Sequence, residues 1–116
     1  MFRILSVSRN VRLLITRNDA LAIAGFSVVS PRNPLEAPLL LAQQHIDAVV
    51  IGHSVEPLVR KQLISSIRKI SATIPILFVY AAPQTTGEPM ADLSIDVTEG
   101  PQALIAAMQK RVDRAA

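Results

Sequence analysis

Short apolar runs alternate with longer amphipathic segments along this chain of 116 residues. The clearest run lies in Ile46–Ser54, where Asp47 is followed by continuous apolar residues up to Ile51 and then by Gly52. This pattern is typical of a strand that is buried on both faces of a parallel sheet. Four further strands are predicted by similar runs, over residues 3–7, 26–30, 75–80 and 93–97.

Segments with helical periodicity lie between these strands. The first helix is predicted over 11–24, with Gly25 as its C-terminal cap. The second begins at either Pro34 or Pro38, since both fit the start of a helix, and runs to about residue 44. Helices that start near Pro57 and Pro101 complete the pattern. Four basic residues of the third helix are expected to lie mostly off its buried stripe: Arg60, Lys61, Arg68 and Lys69.

The alternation of strands and helices predicts one α/β domain over residues 1–116, with a flavodoxin-like, doubly wound, parallel sheet in the order 2-1-3-4-5. The connection between the fourth and fifth strands does not follow this alternation, because it lacks a clear helical pattern. Residues 81–90 contain two prolines and a glycine, which disfavour a helix. We therefore expect the helix between these strands to be shortened or missing.

Composition narrows the function classes. Half of the residues are hydrophobic but only 3% are aromatic, so the core must consist of Leu, Ile, Val and Ala. With no Cys and two His, neither a metal site nor a cofactor is predicted. No apolar run is long enough to span a membrane, and a cytoplasmic location is expected. The net charge of +3 comes from scattered basic residues, which makes nucleic-acid binding the weakest function hypothesis.

Several segments together resemble response-regulator receiver domains. They are Gly25–Val29, Asp47–Ile51 and Pro75–Val79, together with Ala91–Ile95 and the Gly100–Leu104 segment that follows it. The resemblance covers essentially the whole chain. It implies the receiver fold and a role in two-component, phosphorelay signal transduction.

The residues at the functional positions depart from the receiver pattern. Receivers bind Mg²⁺ with an acidic pair after the first strand, and this chain has Ser8 and Arg9 there. The phosphoacceptor Asp is replaced by Gly52, the hydroxyl residue by Tyr80 and the lysine by Val97. A phosphoryl acceptor needs a carboxylate nucleophile, and Mg²⁺ needs hard oxygen ligands. The chain is therefore predicted to be a pseudo-receiver that has no catalytic residues and is not an enzyme.

The leading hypothesis is a phosphorylation-independent signalling module that acts through protein–protein contacts. Its partner would be a signalling protein or a second copy of the chain. A shortened connection before the fifth strand would leave apolar atoms uncovered. The residues expected at the interaction surface are Phe78, Tyr80, Met90 and Leu93, and the partner contact is expected on the segment 81–97.

An alternative hypothesis is a small-ligand sensor. In doubly wound folds, ligands bind in the crevice outside the carboxyl ends of the strands. The residues expected around that crevice are Ser8, Gly52, His53 and Tyr80. A catalytic Ser–His pair is not predicted there, because no acidic residue is placed to orient the histidine.

Overall fold

The fold, described for residues 1–82 and 87–115 by a computed structural model, is a five-stranded parallel sheet with helices on both faces. The strands are β1 (Arg3–Val7), β2 (Ser27–Val29), β3 (Ala48–Gly52), β4 (Ile76–Tyr80) and β5 (Leu93–Asp96). The helices are α1 (Val11–Ile23), α2 (Ala37–Gln43), α3 (Pro57–Ile70) and α4 (Pro101–Ala115). The sheet order is β2-β1-β3-β4-β5, which confirms the predicted topology.

Each face of the sheet has its own hydrophobic layer, because successive side chains of a strand point to opposite sides. On one face, residues such as Ile51 and Phe78 pack against Ile64 and Ile67 of α3, and α2 adds Leu41. On the other face, strand residues such as Val50, Val79 and Ile95 pack against Leu21 of α1 and against Leu104 and Met108 of α4. The carboxyl end of β3 therefore lies between two helical layers.

The helix ends follow local sequence signals. The side chain of Asn10 caps α1 by accepting a hydrogen bond of 3.1 Å from the backbone N–H of Leu13. Gly25 follows the helix with a φ of +99°, a left-handed conformation that glycine adopts at low cost. Both predicted starts of the second helix have a counterpart, because Pro34 begins a 3₁₀ turn and Pro38 lies in the first turn of α2.

The connection from β4 to β5 packs back onto the sheet where it is described. Residues 81–82 and 87–92 contain no helix. The expected shortening also concerns residues 83–86, which lie outside the described residues. Glu88 is buried, its backbone N–H donates a 3.0 Å hydrogen bond to Ser94 Oγ, and Ala91 packs against the core.

The prediction that Arg60 lies off the buried stripe of α3 is wrong. Arg60 is only 6% exposed, because it precedes Leu63 by three residues and Ile64 by four, and so shares their face of the helix. The other three basic residues of α3 are exposed or half-buried. None of the helices in residues 1–82 and 87–115 is both long and apolar enough to cross a bilayer.

Candidate functional site

The residues at the predicted receiver positions lie along the carboxyl edge of the sheet. Ser8 directly follows β1, and Gly52 is the last residue of β3. Tyr80 ends β4, and Val97 follows β5. Parallel strands bring these ends together at one edge, so the chemistry of this edge depends on what surrounds Gly52.

The guanidinium group of Arg17 occupies the space in front of Gly52. A Cβ atom added to Gly52 would lie 2.9 Å from Arg17 Nη1 and 3.5 Å from Ser8 Oγ. Arg17 comes from α1 and is held by two hydrogen bonds: Nε donates to Ser6 Oγ at 3.0 Å, and Nη2 donates to the carbonyl oxygen of Val7 at 2.8 Å. A cation therefore stands where a receiver would project its phosphoacceptor carboxylate.

Arg17 has no carboxylate partner within ion-pair distance in the part of the chain that the structure describes. Burial lowers the pKa of Arg17 to about 10, because removing the guanidinium from water disfavours its charged form. At neutral pH the side chain still carries its proton. The site therefore contains a half-buried positive charge whose hydrogen-bond partners, Ser6 and Val7, are both neutral.

A cavity of about 150 Å³ opens beside Arg17, between α1 and α4. Ser8, Gly52 and His53 line it, so the structure brings together three of the four residues predicted for a ligand crevice. The remaining walls are mostly apolar, with contributions from Leu21, Val79, Ile95, Leu104 and Ile105.

Tyr80 does not belong to this cavity, and its assignment to the crevice is wrong. Its ring stacks on Phe78, with centroids 6.5 Å apart and an interplanar angle of 23°. Phe78 and Tyr80 both belong to the layer that contacts α3, whereas the cavity lies on the α1–α4 side. Val79, which lines the cavity, and Tyr80 are successive residues of β4. Their side chains therefore point to opposite faces of the sheet.

Ser54 links the two loops that border the cavity. Its Oγ lies 2.8 Å from Ser8 Oγ and accepts hydrogen bonds from the backbone N–H groups of Arg9 and Asn10, at 2.9 and 3.2 Å. These bonds fasten the β1–α1 loop to the β3–α3 loop. Ser54 therefore acts as a hydrogen-bond acceptor that holds the two loops together.

The residues at the receiver metal position do not fit Mg²⁺. Ser8 offers one neutral oxygen, and Arg9 is a cation whose Nε lies 3.6 Å from Glu56 Oε1. Asp47 lies at the opposite edge of the sheet, where its carboxylate accepts a 2.7 Å hydrogen bond from the backbone N–H of Arg3. Within residues 1–82 and 87–115, no three His, Cys, Asp or Glu residues are grouped to hold a metal ion.

A second arginine, Arg60, is buried on the other face of the sheet. Arg60 Nε donates a 2.9 Å hydrogen bond to Glu88 Oε1, and Nη1 donates a 3.0 Å bond to the carbonyl oxygen of Val55. The guanidinium carbon lies 4.2 Å from the centroid of the Phe78 ring, a cation–π contact. These contacts fasten the β4–β5 connection to α3.

Opposing effects act on the pKa of Glu88. Burial raises this pKa, but the hydrogen bonds from Arg60 and from the backbone of Met90, with the charges of Arg60 and Lys61, outweigh burial. The net result is a pKa below the ordinary value of Glu. Glu88 is thus a carboxylate at neutral pH, paired with Arg60.

The structure divides the predicted interaction surface. Phe78 is fully buried beneath Arg60, so its expected exposure is wrong. Tyr80 is half-buried, whereas Met90 and Leu93 are each 41% exposed. A shortened connection was expected to leave this part of the sheet uncovered. The side chain of Glu88 and its ion pair with Arg60 cover it instead.

Sequence reasoning missed Arg17, Arg60 and Glu88. A signal for both arginines was present, because each occupies a position on the apolar stripe of its helix. Arg17 lies four residues before Leu21, as Arg60 lies four before Ile64. No comparable pattern marks Glu88, which precedes a proline in an irregular segment.

The fold has close counterparts among solved structures. A response regulator receiver domain from Clostridium thermocellum matches with a TM-score of 0.83 and 16% identity, over 99% of this chain and 97% of that one. A chemotaxis protein of Vibrio cholerae gives a TM-score of 0.80 at 17% identity, over 95% of this chain and 98% of that one. A response regulator receiver protein from Sinorhizobium medicae gives 0.77 at 23%, over 97% and 94%.

These likenesses show that the chain has the fold of a response regulator receiver domain. No protein-family model and no curated protein matches the sequence. The function must therefore be argued from the site.

Proposed function

We propose that the protein is a phosphorylation-independent, receiver-like signalling module of the cytoplasm that acts through protein–protein contacts and is not an enzyme. The observation that carries this proposal is that Gly52 ends β3 and that the Arg17 guanidinium lies directly beside it. Phosphoryl transfer to a receiver needs a carboxylate nucleophile and a metal ion. Here the nucleophile position has no side chain, and the adjoining charge is positive.

Phosphorylation independence is tested with a small phosphodonor. The protein is incubated with acetyl phosphate and Mg²⁺, and its intact mass is measured. We expect no adduct, whereas an authentic receiver treated in parallel gains one phosphoryl group. A stoichiometric, base-labile phosphoryl adduct on this chain would overturn the proposal.

The contact surface is proposed around the described part of the segment 81–97. Among the strands that the structure describes, β5 pairs with β4 only and is therefore an edge strand, which can pair with another chain. Met90 and Leu93 are exposed beside this edge. An open strand edge next to exposed apolar side chains supports a contact with a signalling protein or with a second copy of this chain.

The surface is tested by comparing two charge substitutions. Leu93→Lys places a charge at the β5 edge, while Leu58→Lys places the same charge on α3, where Leu58 is 71% exposed. The wild-type protein is used to capture partners from the native cell, and its oligomeric state is measured by light scattering. We expect Leu93→Lys alone to weaken capture or self-association. If Leu58→Lys abolished capture or self-association and Leu93→Lys did not, the contact would lie on α3 and the proposed surface would be wrong.

A further inference from the structure

The cavity between α1 and α4 combines mostly apolar walls with one half-buried cation, Arg17. Its apolar lining includes Leu21, Val79, Ile95 and Leu104, and Arg17 enters it from α1. Ligand sites in proteins commonly have this composition, in which apolar surface holds the body of the ligand and a few polar groups orient it. β5 contributes Ile95 and Asp96 to this cavity, but Met90 and Leu93, the exposed residues of the proposed protein contact, do not line it.

We propose that this cavity binds a small monocarboxylate with a compact apolar body, and that Arg17 pairs with the carboxylate. This inference goes beyond the proposed signalling function and does not depend on it. Benzoate and short branched-chain carboxylates represent the class of ligand.

The unpaired charge of Arg17 selects the carboxylate. A guanidinium group has five N–H donors, and two of its nitrogens, Nε and Nη2, are engaged by Ser6 and Val7. The third nitrogen, Nη1, has no hydrogen-bond partner among the described residues, and Arg17 lines the cavity beside Gly52. Charge-assisted hydrogen bonds between a guanidinium and a carboxylate are among the stronger ones in proteins, and the apolar surroundings reduce competition from water.

The size and remaining charge of the cavity restrict the ligand further. An apolar cavity of about 150 Å³ is large enough for a benzene ring, so the body of the ligand should be of that size. Asp96 also lines the cavity, although its Oδ1 accepts a 3.0 Å hydrogen bond from the backbone N–H of Thr98. Its negative charge repels a carboxylate placed beside it, so the ligand carries a single carboxylate, which is placed at Arg17 and away from Asp96.

The test compares benzoate with benzyl alcohol, which has a similar body and no charge. Binding of both probes to the full chain is measured by calorimetry and by ligand-observed NMR. We expect benzoate to bind about tenfold more tightly or better, the difference typical of a hydrogen bond to a charged group. Arg17→Gln should abolish this preference. Arg12→Gln, at an exposed position of the same helix, should retain it.

A second variant keeps the test decisive if Arg17→Gln does not fold. Ala20 lines the cavity, and Ala20→Leu should fill it while leaving Arg17 in place, so benzoate binding should be lost. Wild-type protein that binds benzoate no more tightly than benzyl alcohol, or that binds neither, would overturn the inference. Partner capture is measured without benzoate, so its outcome is distinguishable from this one.

Discussion

Removing the carboxylate of Glu88 should destabilise the protein strongly. Glu88 is 4% exposed and Arg60 is 6% exposed, and their side chains are joined by a 2.9 Å hydrogen bond. In Glu88→Ala, the guanidinium would stay buried with only the carbonyl of Val55 and the ring of Phe78 as partners. Breaking a buried pair in this way typically costs about 3–5 kcal/mol, a large share of the roughly 5–15 kcal/mol by which domains are stable.

The assay is urea and thermal unfolding of wild type and Glu88→Ala at neutral pH. A loss of about 3–5 kcal/mol corresponds to a fall in Tm of roughly 12–20 °C for a chain of this size. The matched control is Glu56→Ala, because Glu56 pairs with Arg9 at the surface, where the side chains are 70% and 38% exposed. An exposed pair contributes only about 0–1 kcal/mol.

The same variant predicts a pH dependence with a defined sign. The pKa of Glu88 is lower in the folded protein than its ordinary value of 4.5. Its contribution to the free energy of unfolding is therefore complete above pH 4.5 and is lost as the pH falls through the folded pKa. The difference in stability between wild type and Glu88→Ala should narrow on acidification. A cost at neutral pH no greater than that of Glu56→Ala would refute the reasoning, because it would mean that Arg60 is solvated.

Three further predictions concern the loops and the strand end. Gly52→Asp should not restore phosphorylation, because the new side chain would begin 2.9 Å from Arg17 Nη1 and pair with it; intact mass after acetyl phosphate and Mg²⁺ should show no adduct. Gly25→Ala should lower stability by about 1 kcal/mol in urea unfolding, since its φ of +99° disfavours any side chain. Ser54→Ala should cost about 1 kcal/mol and speed hydrogen exchange at the Arg9 amide, which loses its 2.9 Å acceptor.

The architecture could be predicted because it depends on patterns that are local in the sequence. Apolar runs marked the strands, and the alternation with amphipathic segments determined the parallel topology. The boundaries were less accurate for the second strand, which was predicted over 26–30 and covers Ser27–Val29. Phe26 and Ser30 are outside the ladder, although Phe26 is buried in the core. An apolar run thus reports burial more directly than it reports strand hydrogen bonding.

The positions of the site could be predicted as well, but its chemistry could not. The rule that ligands bind beyond the carboxyl ends of parallel strands placed Ser8, Gly52 and His53 correctly around one cavity. The rule does not tell which face of the sheet a neighbouring side chain joins, and Tyr80 was assigned to the wrong face. Arg17 was assigned only to the first predicted helix. Its place in the site depends on a contact with Gly52, which lies 35 residues later in the chain, and no local pattern indicates that contact.

Two arginines, the half-buried Arg17 and the buried Arg60, give the carboxyl edge of the sheet an unusual charge balance. Arg17 borders the end of β3 from one face, and Arg60 lies beneath the β4–β5 connection on the other. Only Arg60 has a carboxylate partner in the part of the chain that the structure describes. The predicted receiver pattern has acidic residues here to hold a cation, whereas Arg17 places a cation there, with no carboxylate within ion-pair distance among the described residues. The positive charge of Arg17 beside Gly52 therefore favours the binding of an anion at this edge. The proposed phosphorylation independence and the proposed carboxylate site are therefore both consequences of one arrangement, the guanidinium of Arg17 in the space left by Gly52.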